Sequence, residues 1–222
     1  MSRDDGLEVF QDLLLRGAAE GWPQLRKTLI ELAVGPWWHA ANDENVLSEH
    51  AGPGEEIIAF HRDPGDGLKA VGLVLWSEPE GFKVTNIVPR DVGELGIANY
   101  NWLLQDFIER LARPAAARTG FSVEVTAARQ TLKDWMSSEA ADALRRFSAA
   151  ANKSTGSSHP LDRRRWLAFL MTAHRDATAL DAEQLVRWLT EVEGWPGNVA
   201  HRLAVEYEFG RELLTTYDQF RS

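Results

Sequence analysis

The sequence predicts an α+β fold: a small antiparallel sheet, made of a three-stranded meander plus one further strand, with packed helices and a C-terminal helical bundle. Three observations carry that prediction. Between residues 55 and 89 the apolar residues come in short β-branched and aromatic runs separated by turn chemistry. After about residue 130 they recur only at helical spacing. A hydrophobic fraction of 44% over 222 residues supplies one sizeable core or two small ones.

Taken in chain order, Leu7, Phe10, Leu13 and Leu14 recur at helical spacing and predict a first helix, ended by Gly17 to Gly21. Pro23 opens a second helix with Leu25, Leu29 and Leu32 as its apolar stripe, and Gly35-Pro36 stops it. Residues 37–54 read as an irregular or partly helical connection. EEIIAFHR (55–62), LKAVGLVLWS (68–77) and FKVTNIVP (82–89) are then separated by DPGDG and EPEG, linkers of hairpin length. A helix follows with Tyr100, Leu103, Leu104, Phe107 and Leu111 on one face, expected to end at Pro114. FSVEVT (121–126) is the further strand.

The rest is helical. Ala141, Leu144, Phe147 and Ala151 mark one helix; Trp166, Phe169, Leu170 and Ala173 mark another, starting at Pro160. TALD (178–181) resembles a capping-box start for a third, which carries Leu185, Leu189 and Val192 and closes at Gly194. The last begins near Pro196, with Val199, Leu203, Tyr207, Gly210, Leu214 and Tyr217 as its seam. The string EGWP occurs at 20–23 and 193–196, each time where one helix should stop and the next begin. Residues 1–129 and 130–222 are the expected divisions, either packed as one domain or split near residue 130.

Charge is unevenly spread. Residues 1–109 hold 8 Lys+Arg against 19 Asp+Glu, residues 110–165 hold 11 against 5, and residues 166–222 hold 5 against 9. A net charge of −9 disfavours general nucleic-acid binding, while the central basic segment could face a phosphate or an acidic partner, or simply offset the acidic part within the fold. Cysteine is absent, which removes disulfides, thiolate metal sites and a cysteine nucleophile. MSRDDGLEVFQDLLLRG has neither the basic n-region nor the apolar h-region of a signal peptide. No apolar run approaches the roughly 20 residues of a membrane span. A soluble, bacterial-type cytoplasmic protein with no membrane association is the expectation.

The chemically most distinctive stretch is NKSTGSSHP (152–160). Its Lys-Ser lacks the glycines of a phosphate loop, and helical SAAA precedes it where a strand is required. Ser157, Ser158 and His159 nevertheless stand before Pro160 at a helix start, where free N–H groups and the helix dipole favour an anion. Arg163, Arg164 and Arg165 occupy the first turns of that helix, and Lys153 closes the preceding one. These seven residues are the candidate anion- or partner-binding set; the structural alternative is a capped corner whose cations pair with Asp162 and nearby carboxylates. His159 is the first choice for acid–base work, but no G-x-S-x-G nucleophile turn exists, so no catalytic residue is assigned. No histidine spacing forms a metal motif, and no cofactor is expected. Trp37 and Trp38 are either core plugs or partner anchors.

The expected function is therefore that of a protein-binding protein, such as an antitoxin, immunity or defence-accessory component. Missing catalytic motifs, the acidity of residues 1–109 and nine tryptophans favour it, since an acidic surface can block a basic toxin. The alternative is an enzyme or binding module for a phosphorylated or nucleic-acid ligand, working through residues 152–165. Nucleic acid is the less favoured partner.

Overall fold

A computed structural model describes residues 6–65, 67–176 and 178–221. They fall into two compact units, residues 8–128 and residues 6–7 with 129–221. In the first, six antiparallel strands form one sheet: β1 (Leu13–Arg16), β2 (Trp37–His39), β3 (Ile57–Arg62), β4 (Val71–Glu78), β5 (Gly81–Pro89) and β6 (Ser122–Val125). Their spatial order is β2-β3-β4-β5-β1-β6. The meander β3-β4-β5 and the further strand β6 match the sequence expectation.

Two strands of this sheet were not expected. The helix predicted over residues 7–14 is absent; Leu13–Arg16 is instead a strand between β5 and β6, paired Leu14 to Lys83 and Leu14 to Glu124. Leu13 and Leu15 point into the core while Leu14 points out, so period-2 burial wins over the Leu7, Phe10, Leu13 and Leu14 pattern that also fits a helix. The turn before β5 makes room for it: Gly81 has φ 148°, and a Cβ there would sit 1.9 Å from the Leu15 carbonyl oxygen. The second, β2, is a short edge strand inside the expected irregular connection. It is followed by helix α2 (Ala41–Ser48).

Helices α1 (Trp22–Leu32), α3 (Gly96–Phe107) and α4 (Arg113–Thr119) supply Leu25, Leu29, Tyr100, Leu103, Leu104, Phe107 and Ala115 to a core shared with one face of the sheet. The helix does not stop at Pro114 as expected. A five-residue π turn, Ile108–Ala112, joins α3 to α4. Proline has no N–H and its ring collides with the carbonyl four residues back; the wider π turn accommodates both. Gly120, with φ 77°, ends the run.

The second unit is a bundle of four principal helices, as expected: α6 (Ser138–Ala150), α7 (Pro160–Arg175), α8 (Ala182–Arg187) prolonged by a π turn to Val192, and α9 (Gly197–Arg221), preceded by the short α5 (Leu132–Trp135). Thr131 with Asp134 and Asp181 with Gln184 form capping boxes. Aromatic rings chain through the core, from Trp195 to Phe147 (5.5 Å), Trp166 (4.9 Å), Phe169 (5.2 Å) and Tyr207 (5.8 Å). Gly210 lies where α9 meets α7; a Cβ there would stand 2.9 Å from Leu170 Cδ1. The two EGWP strings differ: Gly194 is left-handed with φ 69° after a helical segment, whereas Gly21 is right-handed as the last residue of a 3₁₀ turn.

Candidate functional site

The 152–165 segment folds as a self-satisfied corner between α6 and α7. Asn152 Oδ1 accepts from the Ser154 N–H at 2.9 Å and the Ser154 hydroxyl at 2.7 Å, closing an Asx turn. Gly156 takes φ 66° against Val199. Ser157 is buried, and its hydroxyl donates to the Glu206 carboxylate at 2.7 and 3.0 Å. Ser158 donates to the Thr155 carbonyl at 2.7 Å, and Arg202 donates to the same oxygen at 3.0 Å. His159 is the N-cap of α7, its Nδ1 accepting from the Leu161 N–H at 3.3 Å.

The cations divide. Lys153 donates to the Glu193 carbonyl and lies 5.9 Å from the Trp195 ring centroid. Arg165 pairs with buried Asp162 at 2.8 Å. Arg163 and Arg164 are exposed. Lys153, Ser157 and Arg165 are therefore engaged within the unit, Arg165 from an exposed position, whereas among the described residues Arg163 and Arg164 are the exposed cations of the candidate set whose side chains make no hydrogen bond or ion pair.

Trp37 is not a partner anchor. It is fully buried, packs edge-on against Phe107 at 5.3 Å and donates its Nε1–H to Asp106 at 2.8 Å. The alternation of β2 decides this, since Trp37 shares the inner face with Arg62, its register partner. Trp38 points the other way, is 41% exposed, and donates to Asp63 at 2.6 Å.

Asp106 also accepts from Arg110 at 2.6 Å and from Arg62 at 3.1 Å, and Arg62 is only 1% exposed. Burial opposes ionisation of Asp106, but the hydrogen bonds from Arg110, Trp37 and Arg62 outweigh it and hold its pKa below the ordinary aspartate value. Glu44 on α2 is a second such centre. It binds Arg26, His39 Nε2 at 2.9 Å and the Ala59 N–H at 3.2 Å, so it caps the β3 edge beyond the end of β2. Its pKa too lies below the ordinary value: burial raises it, and the bonds from Arg26, His39 and Ala59 lower it further.

The sheet face turned away from α1, α3 and α4 is the unit's most distinctive surface. Register places Glu124, Leu14, Lys83, Trp76 and Ile57 in one row across it and Val88, Gly72, His61 and Trp38 in another. Between α2 and β3 to β5 a groove of about 480 Å³ is lined by Val46, Leu47, Val74, Trp76, Val88 and Asp43. Asp43 also lines a neighbouring cleft of about 490 Å³ with His39, His61, Arg62, Asp63 and Arg90. Carboxylates flank the apolar floor: Glu55 accepts from Trp76 Nε1 at 3.1 Å, Asp43 pairs with Arg90 at 2.8 Å, and Asp12, Glu78 and Glu124 lie beyond Lys83.

Among the described residues no cluster of three or more His, Asp or Glu side chains could hold a metal ion, and no helix is long and apolar enough to cross a membrane. No family model, curated protein or solved structure matches the chain significantly. The sheet groove escaped the sequence reading, though a signal was present. VGLVLW in β4 is apolar at both odd and even positions, the pattern of a strand covered on two faces.

Proposed function

We propose that the protein acts by binding a basic protein partner on the outer face of its sheet. The observation that carries this reading is β4. Val71, Leu73 and Leu75 fill the core, yet Val74 and Trp76 on the opposite side, with Val88 beside them, floor a groove bordered by Val46 and Leu47 of α2. Apolar side chains on the second face of an antiparallel strand are costly in water and mark a surface that a partner covers. The sign of that partner follows from charge. Residues 8–128 carry 10 Lys+Arg against 18 Asp+Glu, and Asp43, Glu55 and Glu78 flank the groove. A net acidic surround at an apolar centre steers association with basic partners and disfavours acidic ones. An antitoxin, immunity or defence-accessory protein, whose target is a basic protein, is the biological form that suits this surface.

A photo-cross-linking amino acid at Val88 tests the reading, with the same group at Arg164 as the control. The expected result is an adduct from position 88 to one protein of net positive charge, abolished by Trp76→Glu and by Val74→Glu. The purified partner should then bind more weakly as salt rises. Adducts confined to position 164, or a partner of net negative charge, would overturn it and return the weight to Arg163 and Arg164 as a site for phosphate or nucleic acid.

A further inference from the structure

We infer that α9 is a self-association surface, through which two copies of this chain pair by antiparallel contact of their C-terminal helices. Buried residues of α9 end at Gly210, but the helix continues through Arg221. The eleven residues from Arg211 to Arg221 hold no buried side chain. Polar contacts tie this stretch to its own unit, Arg211 to the Leu180 carbonyl at 3.1 Å and Asp218 to His174 at 2.8 Å, while Leu213, Tyr217 and Phe220 stay exposed.

These side chains belong to an apolar face. Val205, Phe209, Leu213 and Tyr217 follow one another at intervals of four, with Phe220 closing the stripe, and each is between 54% and 87% exposed. Residues four apart lie on one side of a helix and form the ridges by which helices interlock.

The spacing is its own complement. Two α9 helices related by a two-fold axis at Arg211 would set Val205 against Tyr217 of the second copy and Phe209 against Leu213. Each pair joins an aromatic to an aliphatic side chain and recurs across the axis, as in an isologous interface. By ordinary side-chain areas the stripe offers roughly 600 Å² per copy, against ~800 Å² per partner in a standard interface. That size fits a reversible dimer at micromolar or weaker affinity. One edge of the stripe carries Glu208 and Glu212, both exposed, and the two-fold axis brings that edge against itself. Salt screens like charges, so this dimer tightens as ionic strength rises, whereas a basic partner on the same stripe would be released.

Sedimentation velocity of the full chain, from about 5 to 500 µM at low and moderate salt, tests it. The expected result is a concentration-dependent dimer, strengthened by salt and weakened at least tenfold by Phe209→Glu and by Leu213→Glu in proteins whose circular dichroism is otherwise native. Amides of residues 211–221 should gain hydrogen-exchange protection with concentration. Because the chain has no cysteine, Glu212→Cys reports the contact even if the charge variants fail to fold: position 212 lies beside its own copy near the axis and should form an inter-chain disulfide on mild oxidation, while Arg164→Cys should not. A monomer at every concentration, a dimer indifferent to both substitutions, a dimer dissolved by salt, or equal cross-linking at 212 and 164 would each overturn the proposal.

Discussion

Two polar clusters stand in instructive contrast. In the sheet unit, Arg62, Asp106, Arg110 and Trp37 come from β2, β3, α3 and the π turn that follows it, and they meet in a mostly buried network. In the helical unit, residues 152–160 form a corner whose bonds run mainly between near neighbours, with long reaches to Glu206 and Arg202 of α9 and to Glu193. The corner is conspicuous in sequence and lies largely at the surface. The buried network has no local signature, yet a charge with 1% exposure depends on it. Energetic weight follows burial and partner count, not chemical prominence along the chain.

The sharpest way to break that contrast is at Asp106. Asp106→Ala removes one carboxylate from buried Arg62, which keeps its bond to the Asp63 carbonyl, and strips the Trp37 N–H of its acceptor, so a loss of about 3 kcal/mol is expected. Arg62→Met should cost less than half as much, because Asp106 keeps Arg110 and Trp37 and a thioether fills the vacated space. Urea denaturation of both variants checks this. Equal losses would mean that the network acts through packing alone.

Acid unfolding sharpens the same point. Asp106 and Glu44 both have folded-state pKa values below their unfolded ones. Their contribution to stability is complete above the ordinary carboxylate range of about 4, declines as pH falls through it, and is gone below the depressed folded values. Asp106→Asn removes its share of that dependence. Its stability should therefore fall less steeply than that of the wild type between pH 5 and about 2, measured by urea midpoints across that range. An unchanged slope would show that other carboxylates drive acid unfolding.

What the sequence disclosed follows the same division. Strands with strong β-branched content and helices bounded by Pro160 and Gly194 were legible, because each signal lies within one element. β1 was not, since Leu13, Leu14 and Leu15 satisfy both periods and only pairing with Lys83 and Glu124 selects the strand. Nor was the passage through Pro114, which depends on a π turn with no compositional mark. Arg163, Arg164 and Arg165 lie in the first turns of α7 as expected, whereas Lys153 lies in the turn beyond α6 and does not close that helix. Which of them would be engaged could be read only in part, because Asp162 is local to Arg165 whereas Glu193 reaches Lys153 across forty residues.

The smallest effects test whether the corner is a joint. Ser157→Ala removes a buried donor that two Glu206 oxygens share, and a loss of about 1–2 kcal/mol is expected, since a hydrogen bond to a charged group is worth more than a neutral one. Arg163→Ala and Arg164→Ala delete exposed side chains and should change stability by no more than about 0.5 kcal/mol. Thermal melts of the three single variants separate the roles. A Ser157 variant as stable as the arginine variants would mean that the Glu206 contact does not hold α7 to α9, and Ser157 would then regain its place among groups available to a ligand.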